Sequence, residues 1–140
     1  MSFDLFVTFD GECREAVDFY ARVFQSEVKN LMLYGEMPPD PNYTVREIDK
    51  NRVLYSCVPI FGCNVMFCDC PKGTPFVKGN NLSPTIGTAD REDIKRMFRE
   101  LKEGGQVMMD LQATFWSELY CAVKDKYGII WQLSHTGSEA

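Results

Sequence analysis

The chain of 140 residues contains a single histidine, His135, and this restricts the chemistry that its side chains can perform. Triads of the Ser-His-Asp or Cys-His type need a histidine base beside the nucleophile, and a 2-His-1-carboxylate iron site needs two histidines. A histidine this near the end of the chain is expected to be a solvated terminal residue. Because the sequence contains no glycine-rich phosphate loop either, we assign no catalytic residue from it.

Six cysteines are the other reactive side chains, at positions 13, 57, 63, 68, 70 and 121. A disulfide framework is typical of short secreted chains, whereas a chain of this length can bury a sufficient core without bridges. The first residues show neither a positively charged segment nor a long apolar stretch, which favours the cytoplasm. We therefore expect reduced thiols that behave as small apolar side chains.

The composition is that of a globular protein, with 45% hydrophobic residues, 25% charged residues and a net charge of −5. The 15 Lys and Arg residues are scattered, so no cationic surface for nucleic acid is expected. No stretch is long and apolar enough for a membrane span. We expect a single cytoplasmic domain over residues 1–140 that binds neither nucleic acid nor membranes.

The first half of the chain shows strand and helix patterns in the order βαβββ. Apolar residues alternate from Phe3 to Phe9, which predicts a half-buried strand, and after Asp10-Gly11 they recur at helical spacing. That helix is expected to pack on the outer face of the sheet. Three prolines at positions 38–41 predict a long exposed loop that extends to about residue 51. The other expected strands are Val28–Tyr34, Val53–Val58 and Asn64–Asp69.

The same order of elements recurs after a linker at residues 71–80, which is rich in Pro, Gly and Lys. Asp90 is the expected N-cap of the second helix, and Gly104-Gly105 is its expected end. The sequence therefore predicts an α+β fold of two βαβββ modules, about 1–70 and 81–136, with helices outside. The expected strands of the second module are Leu82–Thr88, Gln106–Leu111, Leu119–Asp125 and Ile129–Ser134.

Short motifs along nearly the whole chain resemble the PhnB-like branch of the glyoxalase, bleomycin-resistance and extradiol-dioxygenase superfamily, also called vicinal oxygen chelate. The resemblance implies paired modules that curl into a cupped, barrel-like mixed sheet around a cavity, commonly in a homodimer. This branch also carries the label of a 3-demethylubiquinone 3-methyltransferase, but the sequence shows no glycine-rich site for S-adenosylmethionine. The motifs that carry the resemblance are Phe9-Asp10-Gly11, Phe19-Tyr20, Gly104-Gly105, Phe115-Trp116 and Asp125-Lys126-Tyr127-Gly128-Ile129-Ile130-Trp131.

The resemblance also sets an expectation about metal. In metal-dependent members, His, Gln or Glu side chains on the first and last strands of the modules hold a divalent ion. The position of a metal-binding Glu falls on Gln132, its partner strand offers Cys68 and Asp69, and the first strand offers only Asp4. We therefore expect no metal and no other cofactor. A weak oxygen-ligand site built from Gln132, Asp69 and Asp4 is the alternative.

Six side chains are expected to line a ligand cavity. Alternation along the last strand places Gln132 on the face opposite to Trp131 and Leu133, where its amide either faces the cavity or satisfies a buried backbone group. Large rings in a loop are costly to expose, so they should close the cavity or lie in a dimer interface. Met108 and Met109 are expected to fill the core. The predicted ligand-binding residues are Met66, Cys68, Phe115, Trp116, Tyr120 and Gln132.

Three functions remain open at the level of sequence. The first is a PhnB-like protein that binds a small apolar or aromatic molecule in its cavity without the usual metal triad. The second is a sequestering protein of the bleomycin-resistance type, for which an acidic chain suits a cationic drug. The third is a divalent-metal-dependent lyase or isomerase. The residues do not decide whether the chain is an enzyme.

Overall fold

The computed structural model describes residues 1–137 and divides the chain into two compact units, Met1–Val77 and Lys78–Ala140. Each unit contains one α-helix and one four-stranded sheet, in which one strand pair is parallel and the others are antiparallel. The predicted α+β class with two βαβββ modules is confirmed. A single domain over the whole chain stays a prediction.

In the first unit, the strands have the order β1-β4-β3-β2, with β1 parallel to β4. The helix packs on β3 and β4, and the ring of its Tyr20 stacks on Phe67 at 5.3 Å between centroids. Each large side chain buried in this way stabilises the fold by roughly 1.5 to 3 kcal/mol. The elements are β1 (Leu5–Phe9), α1 (Cys13–Val23), β2 (Lys29–Leu33), β3 (Val53–Ile60) and β4 (Cys63–Asp69).

The long loop between β2 and β3 is mostly exposed, as predicted, and a buried carboxylate holds it to the linker. Asp49 is fully buried and accepts a hydrogen bond from the backbone N–H of Lys72 at 2.9 Å and another from Arg46 Nε at 3.0 Å. The Lys72 N–H, and then the Arg46 guanidinium, lower the pKa of Asp49. Short 3-10 turns at Tyr34–Glu36 and Glu47–Asp49 give the loop further structure.

In the second unit, the strands have the order β5-β8-β7-β6, with β5 parallel to β8. The strand β5 begins three residues later than predicted, since Pro84 has no N–H to donate to a strand ladder. Instead, the Pro84 carbonyl accepts the N–H of Gln132 at 3.0 Å. The elements are β5 (Thr85–Thr88), α2 (Arg91–Leu101), β6 (Gln106–Gln112), β7 (Tyr120–Lys124) and β8 (Ile130–His135).

The helix α2 packs on β7 and β8 and covers one face of the second sheet. As predicted, Asp90 is its N-cap, and the Asp90 carboxylate accepts the N–H of Asp93 at 3.1 Å. We call the opposite face of each sheet the helix-free face. The side chains that lie between α2 and its sheet are Ile86, Ile94, Met97, Leu101, Cys121, Val123, Trp131 and Leu133, all of them buried.

The edge strand β6 does not fill the core, so the expectation for Met108 and Met109 is wrong. Met108 is 51% exposed and Met109 is 37% exposed, because α2 reaches β7 and β8 but leaves β6 uncovered. Among residues 1–137, no helix is both long and apolar enough to cross a membrane.

Candidate functional site

Four of the six predicted ligand-binding residues form one chain of contacts in the second unit. The rings of Phe115 and Trp116 lie edge to face at 4.8 Å, and Trp116 meets the ring of Tyr120 in the same manner at 5.3 Å. The Tyr120 hydroxyl in turn donates a hydrogen bond to Oε1 of Gln132. The cluster of aromatic rings is therefore hydrogen-bonded, through Tyr120, to the side-chain amide of Gln132.

The pairing of β7 with β8 fixes where this amide lies. Trp131 and Leu133 are buried beneath α2, and alternation then places Gln132 on the helix-free face, as predicted. Ala122 lies directly opposite Gln132 in the ladder, so Tyr120 and Lys124 are its two diagonal neighbours on β7. We call the patch formed by Trp116, Tyr120, Ala122, Lys124 and Gln132 the platform.

The loop between β6 and β7 presents its two aromatic rings from a fixed turn. The N–H of Thr114 donates to the carbonyl of Ser117 at 2.8 Å, and the N–H of Ser117 donates to Thr114 Oγ1 at 3.1 Å. The Ser117 hydroxyl donates to the carbonyl of His135 at 3.0 Å and so ties the turn to β8. Phe115 is 97% exposed and Trp116 is 53% exposed, although the turn beneath them is well bonded.

The platform itself offers hydrogen-bond donors to a ligand. Burial raises the pKa of Tyr120, so its phenol stays neutral and keeps the proton that it donates to Gln132. That bond occupies Oε1 and leaves the two N–H groups of the amide without a partner within residues 1–137. The platform offers contacts and hydrogen bonds, but no nucleophile with a base beside it.

A second feature lies beside the aromatic loop, in an open cleft of about 350 Å³. His135 lines this cleft with a side chain that is only 13% exposed, and its Nδ1 lies 3.8 Å from Oε2 of Glu118. Glu118 is also paired with Arg91 at the start of α2. The expectation that His135 is a solvated terminal residue is wrong, because β8 continues to this residue and its backbone N–H bonds to Leu119.

The other two predicted ligand residues, Met66 and Cys68, lie in the first unit. Both are on the helix-free face of its sheet, where Met66 pairs with Cys57 and Cys68 pairs with Thr8. The Sγ atom of Cys68 is 3.6 Å from Thr8 Oγ1, and burial raises the pKa of its thiol. The thiol of Cys68 therefore stays protonated and is not an activated nucleophile.

Two of the three side chains named for a weak metal site, Asp69 and Gln132, are engaged in other contacts. Asp69 is buried, and its carboxylate accepts three backbone N–H groups, those of Gly11, Cys13 and Val53. The Oε1 atom of Gln132 already accepts a hydrogen bond from the Tyr120 hydroxyl. Within residues 1–137, no group of three or more His, Cys, Asp or Glu side chains is arranged to hold an ion.

Sequence reasoning missed two members of the platform, Ala122 and Lys124. Both share the strand parity of Tyr120, so alternation along β7 would have placed them on the same face. The register between β7 and β8 places both of them next to Gln132, and a single sequence does not reveal that register. Asp69 was also misjudged, because its carboxylate acts on backbone groups that are distant in sequence.

The fold is that of the glyoxalase, or vicinal oxygen chelate, superfamily. The fosfomycin resistance protein FosX from Listeria monocytogenes has this fold in common with the chain, with a TM-score of 0.63 at 10% identity over 99% of this chain and 95% of that one. The protein PA1353 from Pseudomonas aeruginosa is also similar, with a TM-score of 0.83 at 22% identity over 96% of this chain and 98% of that one.

Residues 2–134 match the family described as 3-demethylubiquinone-9 3-methyltransferase, and the chain belongs to this PhnB-like family. A PhnB protein from Bacillus cereus is 26% identical, with a TM-score of 0.79 over 97% of this chain and 100% of that one. Protein YjdN of Escherichia coli is 26% identical over 136 residues, which cover 92% of this chain and 91% of the relative.

Proposed function

We propose that this PhnB-like protein binds a small apolar or aromatic molecule on the platform of its second unit, without the metal triad of the superfamily. The observation that carries the proposal is the contact chain from Trp116 through Tyr120 to Gln132. It places aromatic surface beside a hydrogen-bonding amide, a combination that is typical of small-molecule sites.

The exposed aromatic loop supports this proposal. Phe115 and Trp116 are large, and leaving them in water forgoes roughly 1.5 to 3 kcal/mol for each ring that a ligand would cover. The hydrogen bonds of Thr114 and Ser117 hold the loop in this exposed form, so the rings are preorganised and little entropy is lost on binding.

The proposal gives the chain a binding role and assigns no reaction. The carboxylate of Asp69 is committed to backbone groups, and the thiol of Cys68 is neutral. His135 and Glu118 lie in the neighbouring cleft, where Ser117 directs its hydroxyl to backbone carbonyls and is not activated as a nucleophile.

Thermal denaturation in the presence of apolar and aromatic compounds tests the proposal. We expect at least one compound to raise the melting temperature and to change the fluorescence of Trp116. A ligand at 100 times its Kd adds about 2.7 kcal/mol to the free energy of unfolding. Phe115→Ala should weaken this binding, whereas Phe3→Ala, which removes an equally exposed ring from the first unit, should not. A panel in which no compound stabilises the protein would contradict the proposal.

A homodimer is part of the same proposal. The edge strand β6 exposes Val107 and Met108, and within residues 1–137 no strand pairs with its outer side, a surface that proteins commonly cover by association. Light scattering after gel filtration should give twice the chain mass for the natural protein. Met108→Glu should shift it toward the monomer, and a natural protein that is monomeric at high concentration would rule this part out.

A further inference from the structure

The amide of Gln132 has a fixed orientation on the platform. Its Oε1 atom accepts the Tyr120 hydroxyl, which turns the Nε2 atom and its two N–H groups away from that bond. These N–H groups have no partner among residues 1–137. A ligand that supplies an acceptor oxygen would give these N–H groups the hydrogen-bond partner that they lack.

The positively charged side chain of Lys124 lies diagonally across the ladder from Gln132. Lys124 is half-buried on the helix-free face, and within the described residues no carboxylate lies within ion-pair distance of its ammonium group. In a pleated sheet, diagonal neighbours are about 7 to 8 Å apart, so a single ligand group can contact both Lys124 and Gln132.

The same face carries no acidic side chain at its paired positions, although the chain has 20 Asp and Glu residues and a net charge of −5. An unpaired cation among neutral side chains favours an anionic ligand on this patch. The paired positions on this face are Thr85, Gly87, Gln106, Met109, Gln112, Tyr120, Ala122, Lys124, Ile130, Gln132 and Ser134.

The shape of the platform suits a flat molecule. On this face, the small side chain of Ala122 lies between those of Tyr120 and Lys124. Tyr120 and Lys124 are four residues apart on an extended strand, which places them about 13 Å apart. Trp116 stands against the ring of Tyr120 at one end, and its exposed indole forms an apolar wall.

We infer that the ligand of the platform is a flat apolar carboxylate whose oxygens accept hydrogen bonds from Gln132 Nε2 and Lys124 Nζ while its ring lies over Ala122. This inference rests on the proposed function and adds the chemical class of the ligand. Charge-assisted hydrogen bonds to a carboxylate are about twice as strong as neutral ones, so the anionic group decides which of several similar rings is bound.

Three probes with the same ring separate the possibilities: 2-naphthoate, 2-naphthalenemethanol and 2-naphthylmethylammonium. We expect calorimetry at low ionic strength to show that naphthoate binds at least tenfold more tightly than the neutral alcohol. The ammonium compound should bind more weakly than either. Added salt should reduce the preference for naphthoate, because Lys124 is only half-buried.

Two variants and one control locate the preference. Gln132→Glu keeps an acceptor for the Tyr120 hydroxyl but removes both N–H donors, and it should abolish the tenfold preference. Lys124→Met keeps the apolar stem and should reduce naphthoate affinity several-fold without changing the affinity for the alcohol. Lys95→Met removes the same charge from the surface of α2, where Lys95 pairs with Glu92, and should have no effect. Melting temperatures close to that of the natural protein show that each variant is folded.

Each outcome bears on one claim. Equal affinity for naphthoate and the alcohol overturns the carboxylate inference and leaves the proposed function standing. A preference that survives in both Gln132→Glu and Lys124→Met also overturns it, because another site would then hold the anion. If none of the three probes binds and no other apolar compound does, the proposed function itself fails.

Discussion

The indole N–H of Trp131 donates a 2.8 Å hydrogen bond to Oδ2 of Asp125, six residues earlier in the chain. The other oxygen of this buried carboxylate accepts the backbone N–H groups of Tyr127 at 2.8 Å and Ile129 at 3.1 Å. One side chain therefore closes the turn between β7 and β8 and fixes the tryptophan beneath α2. The motif from Asp125 to Trp131 therefore stabilises the β7–β8 hairpin, whereas the platform residues lie on either side of it.

Replacing Asp125 should destabilise the protein strongly. Asp125→Ala leaves three donors, two of them buried, without their acceptor, and we expect the free energy of unfolding to fall by about 2 to 4 kcal/mol. Urea denaturation followed by circular dichroism measures this change. Glu103→Ala removes an exposed carboxylate and should alter stability by no more than about 0.5 kcal/mol. Equal losses in the two variants would contradict the role given to Asp125.

The two helices begin on different kinds of cap, and their variants should differ accordingly. Asp69 accepts the N–H groups of Gly11, Cys13 and Val53 at 2.8 to 3.0 Å, whereas Asp90 accepts one N–H in its own helix. We expect Asp69→Ala to cost about 2 to 4 kcal/mol and Asp90→Ala about 1 kcal/mol. Hydrogen exchange should also show faster exchange at the Cys13 amide in Asp69→Ala alone. A larger loss for Asp90→Ala would reverse this ranking.

The glycine pair after α2 serves two separate purposes. Gly104 has a φ of 73°, so Gly104→Ala should cost about 1 kcal/mol through backbone strain. At Gly105, an added Cβ would lie 2.2 Å from the carbonyl oxygen of Lys124, which is backbone and cannot move aside easily. Gly105→Ala should therefore cost more than Gly104→Ala, and chemical denaturation of both variants gives the comparison. The reverse order would show that the β6–β7 approach is loose.

The buried thiols predict a loss of stability at high pH. Burial raises the pKa of Cys13 and of Cys121 from 9.0 to about 12. Since the folded-state pKa lies above the unfolded-state pKa, this stabilisation is complete below pH 9.0 and disappears as the pH rises toward 12. The slope should be at most about 1.4 kcal/mol per pH unit for each thiol.

Unfolding measured near pH 8 and near pH 10.5 should therefore show a smaller decrease in the double variant Cys13→Ala, Cys121→Ala than in the natural protein. Alkylation of the native protein near pH 8 provides a second measurement, in which the partly exposed Cys63 should react before either buried thiol. Rapid labelling of Cys13 in the folded state would contradict the predicted protection.

Most of the fold was predictable because each element has a local signature. Alternation located β1, and the hairpin turn ending at Gly128 located β7 and β8, each to within two residues, while the helical stripe with Asp90 located α2. The prediction failed where position in the sheet matters more than local pattern. Met108 and Met109 are apolar residues of the kind that usually fills a core, but β6 is an edge strand that α2 does not cover.

The candidate site was predictable only in part. Parity along β8 correctly placed Gln132 opposite Trp131, and the apolar loop pointed to Phe115 and Trp116. The hydrogen bond between Tyr120 and Gln132 depends on the register of two strands, and the sequence carries no local signal for it. For the same reason, the pairing of residue 122 with Gln132 emerged only from the fold.

The unequal caps of the two helices also show how the two units differ at the ends of their strands. At the end of β4, Asp69 pairs with Phe9 in the ladder, and at the equivalent end of β8, His135 pairs with Thr88. The first unit needs its strand-end side chain to begin α1. The second unit caps α2 locally through Asp90, so the side chain at position 135 is not needed to begin α2.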